Sequence, residues 1–415
     1  MRYILLLCFV IFNLNSADLT LDISKQVDSL PSLVIENSSG VNTTLNKRFL
    51  RSLISDMNVL SIFNVNRHSL IVDFDDTDIS REARKSNYVL RFKIESLDDS
   101  SYRTEIKFFE YNKMVLQKSY TIHKENLYVF VAHAIAYDVN KAMGEESVEW
   151  MKNKVIIAKL SARNESEIVI TDYTLTYQHT VIKGGLNVFP QWANKSQDAF
   201  YYTSLSGFKP TLYRLDTRTG KKRKIISSDG MMICSDVSAD GEKLLLTMAP
   251  SGQPDIYLYD VRSGRYQRVT KYRGIDVSGQ FMDKKNIVFI SNRMGYPNVF
   301  SKKIGAKSVE QMVYYGKSNV ACSAHKEYIV YKSRETSNAF SPNTFNLHLI
   351  STKTDFIRRL TATGVNEFPR FSEDGSVILF IKNYKNQSSI GVVRLAYNKN
   401  YLFPLKMGKI QSLDW

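Results

Sequence analysis

From Trp192 onward the chain repeats itself about every 44 residues, and this period limits the fold more than any single motif does. Matching positions fall at Trp192, Val237, Phe281, Ala324, Phe371 and Trp415, at intervals of 45, 44, 43, 47 and 44. Each unit opens with a short apolar segment, such as FPQW ending at Trp192 or FPRF ending at Phe371, and then turns through polar residues such as Asp240-Gly241 or Asp374-Gly375. A second strand follows, rich in branched and aromatic residues: KLLLT at 243–247, IVFIS at 287–291, ILFI at 378–381. Short apolar runs bounded by turn signals read as buried strands. DIYLYD at 255–260 and TLYRLD at 211–216 alternate as a third strand, and KKRKII, RYQRVT and FIRRLT close the units. A lone four-stranded sheet cannot bury both faces, so four strands per unit of this length predict the blades of a β-propeller.

Residues 154–183 supply only a second, third and fourth strand, KVIIAKL, SEIVITDY and YQHTVI. The missing opening strand reappears as IQSLDW at 410–415. The expected architecture is therefore a six-bladed all-β propeller closed by the C-terminal strand, which leaves no open edge between last and first blades.

The 415 residues, 43% hydrophobic with 9 prolines, suffice for two cored domains. MRYILLLCFVIFNLNSA, residues 1–17, combines one basic residue, an apolar run and small residues at its end. It reads as a signal peptide cleaved near Ala17, and no later stretch is apolar and long enough to span a bilayer. Cys8 lies inside this segment, where Leu7 is too large for a lipidation site. Cys234 and Cys322 open repeats two units apart, about 120° around a six-fold ring, and are expected as buried free thiols rather than a disulfide.

Residues 18–145 carry no repeat and mix strands with helices. SLVIEN at 32–37 and LSIFNV at 60–65 read as strands around a helix from about Thr44 to Met57. NYVLRFKIESL, YRTEIKFFEY and MVLQKSYTI predict a three-stranded meander. A second helix, from Glu125 to Met143, is expected to bury Leu127, Phe130, Val131, Ala134, Ile135, Val139 and Ala142, with Gly144 ending it. The expected organisation is a signal peptide at 1–17, an extended segment at 18–31, a small α/β domain at 32–145 and the propeller at 146–415, with the boundary between Gly144 and Lys154.

Taken together, FPRFSEDG at 368–375, the weaker VSADG at 237–241, the leader ADLTLDISKQVDSLP and the helix AHAIAYDVNKAMG resemble the TolB family, periplasmic components of the Tol-Pal system. HKEY at 325–328 departs from the repeat by losing its turn motif. The resemblance covers essentially the whole chain. It implies a non-enzymatic adaptor that binds the lipoprotein Pal at one propeller mouth and the C-terminal domain of TolA through its N-terminal segment. It also implies association with the outer membrane through Pal and support of envelope integrity and cell division. A monomer without cofactor, metal or catalytic residues is expected.

For TolA, the candidate contacts are Asp18, Leu19, Thr20, Leu21, Asp22, Ile23, Val27, Asp28 and Ser29. An extended segment with unpaired backbone groups can add as a strand to a partner's sheet. For Pal, the loops entering each blade gather at the mouth. Their candidates are Asn187, Val188 and Phe189; Ile233 and Cys234; Asp276, Val277 and Ser278; Asn319 and Val320; and Asn366, Glu367 and Phe368. Apolar and amide side chains suit a protein surface, although Val277 and Val320 also fit as plugs of the inner strands. The insertion at 333–346 is expected on the same face, with Phe340 exposed. The leader could pack back on the small domain or extend to TolA, with Pal docking shifting that balance.

The alternatives are a propeller scaffold for another envelope assembly, or a propeller hydrolase. No G-x-S-x-G elbow or H-E-x-x-H pair occurs, the six histidines are scattered, and His133 at mid-helix reads as a packing or capping residue. The S-x-D-G turns at Ser238 and Ser372 resemble sialidase Asp boxes but lack the residue between Asp and Gly, and so read as hairpin turns. A net charge of +15 is spread over every repeat, and its one dense run, KKRK at 221–224, reads as a solvated hairpin rather than a nucleic-acid site.

Overall fold

A computed structural model describes residues 30–39, 43–316, 318–335, 344–354 and 356–415. The expected signal segment, the leader residues Asp18 to Ser29 and Phe340 lie outside the described residues.

The small domain begins with β1 (Ser32–Asn37), whose Leu33 to Ile35 core is buried. Helix α1 spans Thr44–Leu60; the Thr43 hydroxyl caps it, accepting from the Asn46 amide at 3.2 Å. Leu45, Phe49, Leu53, Met57 and Leu60 recur at helical spacing and are buried. The helix thus outruns the expected end at Met57, and of LSIFNV only Asn64 and Val65 enter a strand. Val59, Leu60, Ile62 and Phe63, on both sides of the buried Ser61, are all buried, a pattern that suits a helix end and tight turn better than an alternating strand. Ser61 stops the helix in the left-handed region at φ 67°, and β2 begins three residues later (Asn64–Ile71).

The expected meander is present as β3 (Tyr88–Ser96), β4 (Tyr102–Glu110) and β5 (Lys113–Ile122), in a sheet ordered β2-β1-β3-β4-β5. β1 pairs in parallel with both β2 and β3, while β3, β4 and β5 are antiparallel. Glu36 and Arg91 meet at 2.8 Å with both side chains fully buried. The guanidinium also donates to the carbonyls of Asp76 at 2.6 Å and Asp78 at 2.7 Å. These bonds replace the water both charges lose, the condition for a buried pair to be tolerated.

After a 3₁₀ turn at Glu125–Leu127, helix α2 spans Tyr128–Ala142, and Gly144 at φ 70° follows it. Its buried face meets the expected one only at Ile135 and Val139: Tyr128, Val129, Ala132, His133, Ala136 and Asn140 are covered as well, Ala142 is exposed, and Leu127, Phe130, Val131 and Ala134 are half-buried. The reason is that α2 packs on α1, on β5 and on the turn Glu149–Lys152 together, so more than one stripe is covered. That turn buries Trp150 and Met151, so the passage between domains is a packed wedge rather than an exposed linker.

Beyond it, strands form four sheets of four strands and one of eight. In the first complete repeat Asn187–Trp192, Ala199–Ser204, Thr211–Asp216 and Lys222–Ser227 pair in sequence order. The eight-stranded sheet joins two such sets through one parallel bridge, Phe345 to Val365. The C-terminal strand Lys409–Asp414 pairs antiparallel with Val155–Ala162, supplying the opening strand that residues 154–183 lack. This is a β-propeller with a small helix-and-sheet domain ahead of it. KKRK lies in a turn and outermost strand whose Lys221 to Lys224 are exposed, and Lys222 stands 3.9 Å over the Tyr213 ring. At HKEY the tight turn persists: His325 pairs with Tyr328 and Lys326 takes φ 51°. Cys234 and Cys322 are free and buried.

The two domains share one apolar core, in which Phe49, Leu53 and Val129 belong to the same cluster as Ile157, Val169 and Leu379. The Tyr401 hydroxyl donates to the Asn58 carbonyl at 2.8 Å and lies 2.8 Å from the Ser61 hydroxyl, and the Tyr397 hydroxyl reaches Glu145 at 3.2 Å.

Candidate functional site

Antiparallel pairing in sequence order sorts the propeller's connections onto two faces. In one repeat Asn187, Ser204, Thr211 and Ser227 lie at the same end of neighbouring strands. Loops from second to third strand, and from fourth strand to the next repeat, therefore share one face, the mouth. The other face holds Tyr173, Tyr397 and Tyr401, which meet the small domain. The mouth points away from it.

Large apolar side chains stand exposed on that mouth: Phe208 is 100% accessible, Met407 81% and Tyr314 73%, with Tyr315, Met294 and Tyr296 nearby in equivalent loops. Leu205, Met231 and Tyr384 are also exposed at this end, whereas Tyr266, Ile357 and Leu402 lie on outermost strands. Clustered exposed apolar groups without a core to enter mark an interaction surface. Lys183, Lys271, Arg273 and Lys406 are exposed beside them.

The residues expected to face a partner sit differently. They are not loop residues but belong to the opening strands Asn187–Trp192, Met232–Val237, Asp276–Phe281, Asn319–His325 and Val365–Phe371. Asn187, Val188, Cys234, Asp276, Asn319 and Asn366 are buried. Four of the Asn and Asp side chains hold loops at the mouth in place. Asn187 donates to the Gly184 carbonyl at 2.8 Å, Asn366 to the Thr363 carbonyl at 3.1 Å, and Asp276 accepts Arg293 through both oxygens at 2.9 Å. Asn319 donates to Tyr315, a rim residue, at 3.0 Å. Phe189, Ile233, Val277, Ser278, Val320, Glu367 and Phe368 remain partly exposed.

Every opening strand carries a register shift against its neighbour. At three of these bulges a non-glycine residue is left-handed: Phe189 at φ 53°, Ser278 at 56° and Phe368 at 49°. Bulky residues rarely adopt this conformation, and bulges re-aim the side chains they carry. Here they bring the Phe189 and Phe368 rings, from different repeats, to 6.1 Å.

One position before each repeat anchor lies Gln191, Asp236, Gln280, Ser323, Arg370 or Asp414. These side chains stitch repeats together along the channel. Asp414 accepts from the Trp192 amide at 2.8 Å, Asp236 from the Phe281 amide at 2.7 Å, and Ser323 from the Phe371 amide at 3.3 Å. Arg370 reaches over to two other repeats, donating to the Gln280 side chain and, at 3.1 Å, to the Ser235 carbonyl; its Nε lies 3.8 Å from Asp414. Burial raises both Asp236 and Asp414 to about 6 even though Arg370 pulls each down. Burial also raises both thiols, Cys322 to about 12, so neither is an activated nucleophile.

The rim residues escaped the sequence reading, although a signal was present. Phe208 follows Gly207, Met294 and Tyr296 flank Gly295, Tyr315 precedes Gly316 and Met407 precedes Gly408. A large apolar residue inside a glycine turn has no strand face to bury it. The TolA candidates, Asp18 to Ser29, lie outside the described residues.

Residues 143–415 match the family model described as the TolB beta propeller domain. The chain is 46% identical to the Tol-Pal system protein TolB of Wolinella succinogenes over 100% of both chains. It is 40% identical to that of Campylobacter jejuni over 98% of each. The crystal structure of TolB from Acinetobacter baumannii superimposes with a TM-score of 0.77 at 18% identity, covering 93% of this chain and 97% of that one. Propeller, preceding domain and full-length likeness agree: the chain belongs to the TolB family of Tol-Pal system proteins.

Proposed function

We propose that the protein is a non-enzymatic periplasmic adaptor that takes Pal at the propeller mouth and TolA through the leader at residues 18–31, supporting outer-membrane integrity and constriction at division. The observation that carries the mouth assignment is the exposed apolar rim of Phe208, Met294, Tyr296, Tyr314, Tyr315 and Met407, on the face turned away from the small domain. Aromatic and methionine side chains are enriched where proteins meet proteins. Phe189 and Phe368 line the inner edge of this surface, with Ile233, Val277, Ser278, Val320 and Glu367 around them, while the buried Asn187, Asn319 and Asn366 hold the loops in place. The exposed lysines and arginine beside the rim favour an acidic partner surface and act mainly on encounter rate.

The same reading takes the propeller as six blades, the eight-stranded sheet counting as two, closed by Lys409–Asp414. It assigns residues 1–17 to a signal peptide, 32–145 to the small domain and 146–415 to the propeller, and takes the protein as a monomer. The leader, with LTLDI at 19–23, adds as a strand to a TolA sheet.

Calorimetric titration of the protein with the soluble domain of Pal from the same organism tests the mouth. Saturable one-to-one binding that weakens when Phe208 and Met407 become serine is expected. Unchanged affinity in a folded double variant would move the site off the rim. Deleting residues 18–29 is expected to abolish TolA binding and spare Pal binding, and TolA binding that survives the deletion would overturn the leader's role.

A further inference from the structure

At the domain junction, away from mouth and channel, three ionisable side chains are sealed from solvent. His133 of α2 holds Nδ1 2.8 Å from Asp56 of α1 and Nε2 3.3 Å from Asp172, which follows the strand Glu165–Thr171 of the propeller. None of the three side chains has accessible surface. Asp56 and His133 belong to the small domain and Asp172 to the propeller, so the imidazole joins the two domains, beside the bond from the propeller's Tyr173 hydroxyl to Asp56.

The donor count decides how that link is made. A neutral imidazole has one N–H and one lone pair. With both carboxylates ionised, either tautomer would aim its lone pair at a carboxylate oxygen where water does not reach. An imidazolium donates to both. The remaining partners fill the other carboxylate sites. Asp56 accepts from the Tyr173 hydroxyl at 2.5 Å. Asp172 accepts from the Thr174 amide at 2.8 Å, the Thr174 hydroxyl and the Tyr177 amide at 2.6 Å. Elsewhere the surroundings are aromatic: the Tyr173 ring lies 4.6 Å from the imidazole, Phe130 meets it edge-on at 6.0 Å, and Trp150 and Phe403 pack on Tyr173. Arg394 acts on the group only from a distance, through Tyr173, and Tyr128 through Asp172.

We propose that His133 is a protonation-dependent clasp: as an imidazolium shared by Asp56 and Asp172 it fastens the small domain to the propeller, and loss of its proton loosens the junction. Burial works against the charge, but Asp56 and Asp172 outweigh it and raise His133 to about 9. Bonds from His133, Thr174 and Tyr177 overcome burial at Asp172 and hold its carboxyl below the usual range, while burial raises Asp56. Because the closed-state value lies above the free value near 6.5, the clasp contributes fully below about 6.5 and is lost as pH rises through about 9. Over that interval the opening constant rises by up to about tenfold per pH unit. The clasp is independent of what binds the mouth.

Hydrogen exchange of α1 and α2 in the full chain, corrected for intrinsic rate at each pH from 6.5 to 9.5, tests the clasp. Opening is expected to rise by up to about tenfold per pH unit in the natural protein and to lose that slope in His133→Gln and in Asp172→Asn. Equal slopes in natural protein and variants would overturn the proposal, since a packing role predicts the same loss of protection at every pH. Should both variants fail to fold, imidazole NMR of the natural protein decides. One of the six histidines is expected to keep its proton through pH 8; titration of all six below pH 7.5 would overturn the clasp.

Discussion

The propeller mouth and the domain junction lie at opposite ends of the same strands and leave their unpaired chemistry in opposite places. The mouth leaves apolar surface in water, with Phe208 and Met407 almost wholly accessible. The junction takes charge out of water, with Asp56, His133 and Asp172 sealed inside. Exposed apolar groups cost the fold little and are available to a partner. Buried charges tolerate no missing neighbour, so the junction is specified by mutual donors and acceptors and the mouth by shape. A surface built to bind can therefore vary one side chain at a time, while a built-in joint cannot.

Breaking the junction should have the largest effect. Asp172→Ala removes the acceptor for His133, Thr174 and Tyr177, and urea unfolding at pH 7 should show a loss of about 3–5 kcal/mol, as for a broken buried pair. A loss under about 1 kcal/mol would mean that the junction behaves like a surface ion pair. At the mouth, Phe208→Ser with Met407→Ser should weaken Pal binding by roughly 10- to 100-fold, an effect of about 1–3 kcal/mol, if these are anchors of the contact. The same variant should shift folding stability by less than about 0.5 kcal/mol; a larger shift would erase the contrast.

The channel stands between these extremes. Asp236 has a folded value of about 6, above its ordinary 3.8, so its ionisation opposes folding above about pH 6 and that cost is relieved as pH falls from 6 toward 4. Asp236→Asn should keep an acceptor for the Phe281 amide, raise stability near pH 7.5 by about 1 kcal/mol and flatten the pH dependence between 4 and 6. Thermal melts at several pH values would show it, and a variant less stable at pH 7.5 would indicate that Arg370 needs both carboxylates. The smallest effect is expected at Lys222, exposed over the Tyr213 ring: Lys222→Gln should cost no more than about 0.5 kcal/mol in denaturant unfolding.

Strands were legible because short apolar runs end in turn signals, as at DIYLYD, buried from Asp255 to Tyr259, and because strands such as Tyr102–Glu110 alternate more and less buried positions. The start of helix α1 at Thr44 was legible but not its end, since Val59 to Phe63 carries no alternation to mark where the helix stops. The buried face of α2 was misread because surfaces from two domains cover it, and an apolar stripe describes only one. At the mouth, position in the repeat located the strand ends but not which side chains stand exposed there. Asn187, Asn319 and Asn366 proved to be loop ties, and the rim came from isolated residues in glycine turns.

By itself, the sequence determined the periodic part of this protein: the repeat of about 44 residues, four strands in each, and a final segment matching the one missing near Lys154. Periodicity carries such information because each strand buries its side chains by a local rule. Only the tertiary structure decided which carboxylates surround His133, that Arg370 reaches Ser235 and Gln280, and that Phe189 meets Phe368. Those contacts join residues far apart in the chain, and their charge states and strained backbones exist only because packing around them excludes water and holds them in place.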